Sequence, residues 1–540
     1  MDRISAMPKA ILHNILARLP DKEAARTSAL SKTWRDTWYS FPNLSVHWGY
    51  FFTEDDVPLG KSHRLGKSHR FSGLDNLIDY VTKRLLRLHD QGLPLEEFKL
   101  NLGDLVDPTL VTFHLDQWIR IASEIGVKVL ELDLSSDYGK WDLALCAIEA
   151  KSLTKLHLGK GIRIGQEFLK HSMKLSSVKM LSLTGVLFAH EWIIEHFISH
   201  CPLAEHLSMD HCYVYNHLSS EVPLESLFLH GLRKLKEVDL QGIQEVHIDS
   251  PNLVNLCYAP LDFNAPFKLN FDSCTSLRSL ILMHLQTIAN VDKWFLELFS
   301  KHPFLERVEI FAYSMSERID ISSAQLKVLK LTHCSNLKEV NIDAPNLLSF
   351  SYDCADKPVI SFMRSSDLLK VRVVTDVDFE HFYSLRESIW NIPQKILASL
   401  SLFIKRTFPG YGYGRVTELQ VSSIPPSIKH LEVTLDPDSD HKFLYGRLMN
   451  YLLSSCFPET ISFIYGGGNT FIEFFYEMLM GSEKEECYCC SSSDPKCWWH
   501  ALKIVNISCS FMTNQNIDFK DMLDVWPVSS VEKVTFRLEL

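Results

Sequence analysis

The segment IDSPNLVNLCY at residues 248–258 returns as IDAPNLLSFSY at residues 342–352. In the first copy Leu253, Leu256 and Tyr258 stand at i, i+3 and i+5, and Leu347, Phe350 and Tyr352 take the same places in the second. The last two apolar positions of each triplet alternate with a polar one, as a short strand buried on one face requires. The triplet recurs in both directions. It begins at Leu95/Phe98/Leu100 and passes through Val127/Leu130/Leu132, Leu153/Leu156/Leu158, Val178/Leu181/Leu183, Ala204/Leu207/Met209 and Leu224/Leu227/Leu229. It continues through Leu277/Leu280/Leu282, Leu305/Val308/Ile310, Leu326/Leu329/Leu331, Leu368/Val371/Val373 and Leu397/Leu400/Leu402 to Ile428/Leu431/Val433. A pattern repeated at such steps marks a solenoid whose coils share one continuous core.

Between triplets the chain offers two kinds of connection. WIRIASEIG from Trp118, WIIEHFISHCP from Trp192 and WFLELFSKHP from Trp294 read as helices, with the tryptophans as core knobs between coils. Other coils are too short for a helix. Leu326 to Leu347 to Leu368 gives two steps of 21 residues, and Leu337/Val340/Ile342 inside the first reads as a second strand. Strand is therefore expected on the far side of the short coils and helix on the far side of the long ones.

The whole chain has 540 residues, 46% hydrophobic and 22% charged, a composition that excludes disorder as the main state. Its net charge of −11 gives no bulk footprint for nucleic acid or an anionic membrane. Residues 1–90 hold 14 Lys/Arg against 10 Asp/Glu, a net of +4, which leaves −15 for the remainder. Thirteen cysteines are too few for a disulfide scaffold. With no signal-like start and no long apolar run, the expectation is a reduced cytoplasmic or nuclear protein with free thiols.

Residues 5–38 read as three short helices. Pro8 suits a first helical position, and Ile11, Leu12, Ile15, Leu16 and Leu19 make an apolar stripe that Pro20 ends. Asp21 and Ser31 are candidate caps for the next two helices, the last carrying Trp34 and Trp38 one turn apart. About 40 residues rarely stand alone, so so rich a stripe implies a partner. A helix-turn-helix DNA reader shares the topology, but SKTWRDTWYS offers few side chains that read base edges. The run DRISAMPKAILHNILARLPDKEAARTSALSKTWRDTW resembles a plant F-box, with Met7 in place of the usual leucine before Pro8. The resemblance implies docking to the Skp adaptor of cullin-based SCF ubiquitin ligases. Carried over by position, Met7, Pro8, Ile11, Leu12, Ile15, Leu16 and Leu19 would meet the adaptor, with Trp34 and Trp38 beneath or beside them.

Residues 46–94 read as a linker containing LGKSHR twice in tandem, at 59–64 and 65–70, followed by an amphipathic helix through Leu74, Leu77, Ile78, Val81, Leu85 and Leu88. Gly-Lys-Ser lacks the glycine that a phosphate loop needs five positions before its Gly-Lys, so nucleotide binding is excluded there. After residue 440 the repeat loosens. Helices are expected over 441–454 and 471–480, with strand triplets at Ile461/Phe463/Tyr465, Leu502/Val505/Ile507 and Val531/Val534/Phe536.

The repeat resembles the leucine-rich repeat, whose strands stack in parallel on the concave side of a curved solenoid. The Asn or Cys usual three positions after the last apolar residue appears only at Cys212 and Cys334, so the pattern is degenerate. The expected architecture is α/β: a small all-α F-box (residues 1–45), a linker (46–94), a curved parallel-sheet solenoid (95–440) and an α+β C-terminal cap (441–540). Outward-facing residues on the sheet would be Glu131, Asp133, His157 and Ser182, then Phe228, Cys257, Ile281, Met283 and Phe311, then Lys330, Lys370 and Arg372. Phe228, Ile281, Met283, Phe311, Lys330, Lys370 and Arg372 form the candidate target surface, apolar and then basic. Cys487, Cys489, Cys490, Cys497 and His500 form a metal-like cluster whose spacing fits zinc poorly. His190, Glu191, Glu195 and His196 miss the HExxH spacing because Ile194 occupies its last position. No catalysis, cofactor or metal is expected. The implied role is substrate receptor of a ubiquitin ligase, with a small-molecule-dependent receptor or a ligase-independent scaffold as alternatives.

Overall fold

In the computed structural model, the structure describes residues 4–51, 67–103, 110–134, 140–143, 151–165, 175–215, 220–287, 291–353, 358–366, 368–377, 399–406, 427–435, 453, 456–465, 472, 474–475, 504–509 and 532–539. The chain divides into two compact units, residues 1–277 and 278–540.

The first unit opens with three helices, α1 (Lys9–Leu16), α2 (Asp21–Arg26) and α3 (Lys32–Tyr39). Ser31 caps α3 as expected, its hydroxyl accepting the Trp34 N–H at 3.2 Å. Pro8 stands one position earlier than expected, just before α1; α1 ends at Leu16, ahead of Pro20, which immediately precedes α2, so Asp21 lies inside α2 rather than capping it. Leu12, Leu16, Ala24, Trp34, Trp38 and Phe41 form one buried cluster.

A parallel sheet follows without a break. Its eight strands are Asn43–His47, Glu97–Asn101, Val129–Asp133, Lys155–Leu158, Met180–Thr184, His206–Asp210, Glu237–Gln241 and Asn255–Ala259, each paired with the next in chain order. One in-register ladder, Leu44, Phe98, Leu130, Leu156, Leu181, Leu207, Val238 and Leu256, is buried from end to end. The expected linker is thereby corrected. Phe41, Leu44 and Val46 carry the repeat spacing and begin the first coil, and α4 (Lys67–Asp90) completes it, starting inside the second LGKSHR copy. Leu74, Leu77, Val81, Leu85 and Leu88 are its buried side. α5 (Thr112–Ile125) packs against α4, and Trp118, fully buried, donates its indole N–H to Thr82 Oγ1 at 2.9 Å.

On the far side the later coils use strand. Trp141–Asp142, Ile162–Ile164, Leu187–Phe188 and Tyr213–Tyr215 pair in parallel, as do Ser226–Leu229, Glu245–Ile248 and Lys268–Asn270. The triplet Leu224/Leu227/Leu229 therefore belongs to this second layer and not to the main sheet. Leu235, Val238 and Leu240 supply the main strand of that coil, a triplet of the same spacing. α6 (Glu191–Ser199) sits between the fifth and sixth main strands, and Trp192 on it is 48% exposed, so it is not a core knob.

In the second unit Ser279–Thr287, Arg307–Ser314, Val328–Thr332, Ser349–Asp353, Lys370–Val377, Ser399–Arg406, Ser427–Leu435 and Phe457–Tyr465 pair in parallel, again in chain order. The parallel stack thus continues past residue 440. Glu532–Glu539 then pairs antiparallel with Phe457–Tyr465, and Ile504–Cys509 antiparallel with Glu532–Glu539. α7 (Val291–Lys301) fills the one long early connection. The short coils carry far-side strands as expected: Arg318–Ser322, Glu339–Asp343 and Val359–Arg364. One triplet shifts by a residue, since Leu369 is buried while Leu368 is 70% exposed. The turn there is held by Ser366, whose hydroxyl accepts the Leu368 N–H and whose carbonyl accepts the Leu369 N–H. The expected helices at 441–454 and 471–480 fall mostly outside the described residues.

Candidate interaction surfaces

The stripe on α1 separates into two faces. Residues four apart on a helix stack, and residues one apart stand about 100° around the axis. Leu12 and Leu16 therefore point together into the module, both 1% exposed, against Trp34 and Trp38. Ile11, one position before Leu12, points outward at 44% exposure, and Met7, two residues ahead of α1, is 41% exposed. Pro8 is exposed, and Ile15 and Leu19 are half-buried against the core. The expected contact set is corrected accordingly: Leu12, Leu16, Trp34 and Trp38 are core. Ile4 and Leu30, which sequence reasoning missed, add exposed apolar surface to Met7, Pro8 and Ile11. Their signal was present, since both are large apolar residues beside helix ends in an otherwise polar setting.

The underside of the module is held by Arg84 of α4, only 5% exposed. Its Nη1 donates to the Tyr39 carbonyl at 2.5 Å, and Nη2 donates to the Trp38 and Phe41 carbonyls at 2.6 and 2.9 Å. The guanidinium lies 5.1 Å from the Trp38 ring centre. The Trp38 and Tyr39 carbonyls lie in the last turn of α3, where the helix dipole is negative, and Phe41 follows two residues on; the Trp38 carbonyl also accepts the Phe41 N–H at 3.1 Å. Burial pushes the guanidinium down to about 10, so it remains a cation at neutral pH. Sequence reasoning passed over Arg84, although a lone arginine on the Leu77/Val81/Leu85/Leu88 side is the signal that marks it.

The outward side of the first sheet is polar. Lys99, Glu131, His157, Ser182, Ser208, Asp239 and Cys257 occupy one row in register. Lys155 Nζ meets Glu131 at 2.6 Å, and His157 Nδ1 lies 2.9 Å from Ser182 Oγ. Burial pushes Glu131 up, but the Lys155 hydrogen bond with the charges of Lys99, Lys155 and His157 outweighs it and holds the carboxyl below its usual range. Burial holds His157 below the ordinary imidazole value. Phe228 is not on this side. It lies in the second layer, stacked on His247 with centroids 4.9 Å apart and planes 8° apart, and is removed from the target surface.

In the second unit the outward rows mix apolar, acidic and basic side chains and are basic at Lys370 and Arg372. Ile281, Glu309, Lys330, Ser351 and Arg372 follow one another in register, as do Arg307, Val328, Ser349 and Lys370. Ile281 and Met283 are half-buried, and Phe311 sits between the rings of His284 and His333 at 4.8 and 4.7 Å. Lys330, Lys370 and Arg372 are exposed. Cys212 and Cys334 are buried, and each thiol donates to a backbone carbonyl, Leu183 at 3.6 Å and Thr332 at 3.4 Å. They are structural, and burial pushes the Cys212 thiol up to about 12. Among the described residues no group of three metal-ligating side chains occurs, and Cys487, Cys489, Cys490, Cys497 and His500 lie outside them.

An F-box domain profile matches residues 4–45, and the profile of the At1g61320/AtMIF1 LRR domain matches residues 85–275 and 264–463. The chain is an F-box/leucine-rich-repeat protein. F-box/LRR-repeat protein At4g14103 of Arabidopsis thaliana is 30% identical over 275 residues, covering 50% of this chain and 65% of the relative. FBD-associated F-box protein At4g13985 of the same plant is 27% identical over 256 residues, 47% of this chain and 51% of the relative. The chain spans about half the length of the curated relatives it matches. F-box/LRR proteins are generally adaptors rather than enzymes, and an F-box in general implies binding to a Skp-type adaptor.

Proposed function

We propose that this F-box/LRR protein is a non-catalytic substrate receptor of an SCF-type ubiquitin ligase in the cytoplasm or nucleus. The exposed patch of Ile4, Met7, Pro8, Ile11 and Leu30 docks the Skp adaptor, and the outward sheet surface holds the target protein. The observation that carries the reading is the exposed apolar group of Ile4, Met7, Ile11 and Leu30, which the module leaves uncovered while its own core is complete. Covering four large apolar side chains contributes roughly 1.5–3 kcal/mol each before losses. Association costs about 4–15 kcal/mol, so rim contacts must add to the patch. Arg84 supports the role by tying the module to the first coil, which lets a docked adaptor and the first sheet move together.

Co-purification of the full chain with a Skp adaptor tests this. The wild type retains the adaptor. Met7→Asp with Ile11→Asp loses it without a change in the chain's melting temperature. Undiminished capture by the double variant contradicts the assigned docking patch, and no capture by the wild type contradicts the ligase reading and favours a ligase-independent scaffold.

A further inference from the structure

Resting on the reading that the outward sheet surface holds the target, we propose that three strands of the second unit form a groove for an extended acidic segment of that target. The segment carries carboxylates at alternate positions. The strands are Val328–Thr332, Ser349–Asp353 and Lys370–Val377, paired in register so that Ser351 lies between Lys330 and Arg372, and Ser349 between Val328 and Lys370. Adjacent strands are about 4.8 Å apart, so the outer two stand roughly 10 Å apart. The middle strand offers only two half-buried serines as a floor, while Lys330, Lys370 and Arg372 rise exposed on either side. A single extended chain fits that width, and serine hydroxyls can donate to its carboxylates or carbonyls.

Lys330 pairs with Glu309 at 3.8 Å, and the other two cations of the groove are left uncompensated. Among the described residues Lys370 and Arg372 make no ion pair, because the nearby carboxylates are already held. Glu309 is taken by Arg307 and lies 3.8 Å from Lys330. Glu432, two strands beyond Arg372, is held by Lys533 at 2.7 Å and accepts from Ser401 at 3.4 Å. Asp353 stands in register with Val374, not with Arg372. A chain with a net charge of −11 therefore exposes a local cationic strip. Lys370 and Arg372 are two residues apart on one strand, about 7 Å, which is the repeat of alternate side chains in an extended peptide. The spacing selects acidic-x-acidic over a single charge.

A fluorescent synthetic peptide of alternating Asp and Gly, titrated into the full chain, tests the groove, with a Lys/Gly peptide as control. The Asp/Gly peptide binds and the Lys/Gly peptide does not. Binding weakens when ionic strength rises from about 0.01 M to about 0.15 M and the screening length falls from about 30 Å to about 8 Å. Lys370→Glu with Arg372→Glu lowers affinity about tenfold or more, with the melting temperature unchanged, while Lys99→Glu on the first sheet leaves it intact. Equal binding by the charge-reversed variant, or stronger binding of inorganic phosphate or a single-stranded oligonucleotide than of the peptide, overturns the inference. Loss of peptide binding with adaptor capture intact removes only the groove. Loss of adaptor capture with peptide binding intact removes only the ligase reading.

Discussion

Arg84 places a cation against the Trp38, Tyr39 and Phe41 carbonyls, of which Trp38 also accepts the Phe41 N–H. Replacing it with Met keeps the length of the side chain and removes the guanidinium donors from all three carbonyls, leaving the Phe41 N–H on Trp38 alone. Arg84→Met is expected to destabilise the packing of the F-box on the first coil by roughly 2–4 kcal/mol. Limited proteolysis near residues 40–50 checks this through faster cleavage, and unchanged cleavage contradicts it. Lysine should rescue only in part, because a single ammonium cannot form the same planar fork. His157 makes a pH prediction. Its folded value lies below the ordinary 6.5 because of burial, so the folded protein binds fewer protons than the unfolded chain between the two values. Its contribution to stability is complete above 6.5 and is lost as pH falls through the folded value. His13 and His430 shift in the same direction, so the wild type alone does not isolate the effect. The melting temperature of His157→Gln should fall less than that of the wild type between about pH 7 and about pH 5. An equal fall in both excludes the assignment.

At the scale of the coil, the turn after a main strand takes a left-handed residue in several coils. Gly103, Gly185 and Gly242 supply it in three coils, and His211 and His333 take it at φ of 45° and 55° in two others. Gly103 also lies against Trp48, so that a Cβ there would fall 2.0 Å from the indole nitrogen. Gly103→Ala is expected to cost about 2 kcal/mol or more, because strain and collision add. A denaturant midpoint equal to wild type would contradict that account. The main strands were legible in sequence because burial on one face leaves apolar residues at fixed spacing. Phe41/Leu44/Val46 and Leu235/Val238/Leu240 obey the same spacing and lie in plain view. The first is hidden by its closeness to the helical module, and the second by the competing Leu224/Leu227/Leu229 eleven residues earlier. Both sides of that coil are strand, so apolar spacing cannot assign either triplet to its layer. Phe228 was misplaced for this reason, whereas Lys330, Lys370 and Arg372 follow from an unambiguous register.

For the whole molecule, the division of α1 into an inner and an outer face links stability to function. Leu12→Ala removes core volume and is expected to cost about 2–5 kcal/mol in denaturant unfolding of the F-box. Adaptor affinity then falls only through unfolding. Ile11→Asp should do the reverse, keeping the fold and losing the adaptor, and equal thermal destabilisation by both substitutions would erase the distinction between the faces. Sequence order alone could not separate these neighbours, because both are apolar and only the helix phase relative to Trp34 and Trp38 decides which side each takes. Amide hydrogen exchange of the full chain with and without a Skp adaptor tests the central claim most directly. The account predicts slowed exchange confined to the segments around Ile4–Ile11 and Leu30, with the main strands unchanged. Protection that leaves these segments untouched and appears on the sheet surface instead would contradict it.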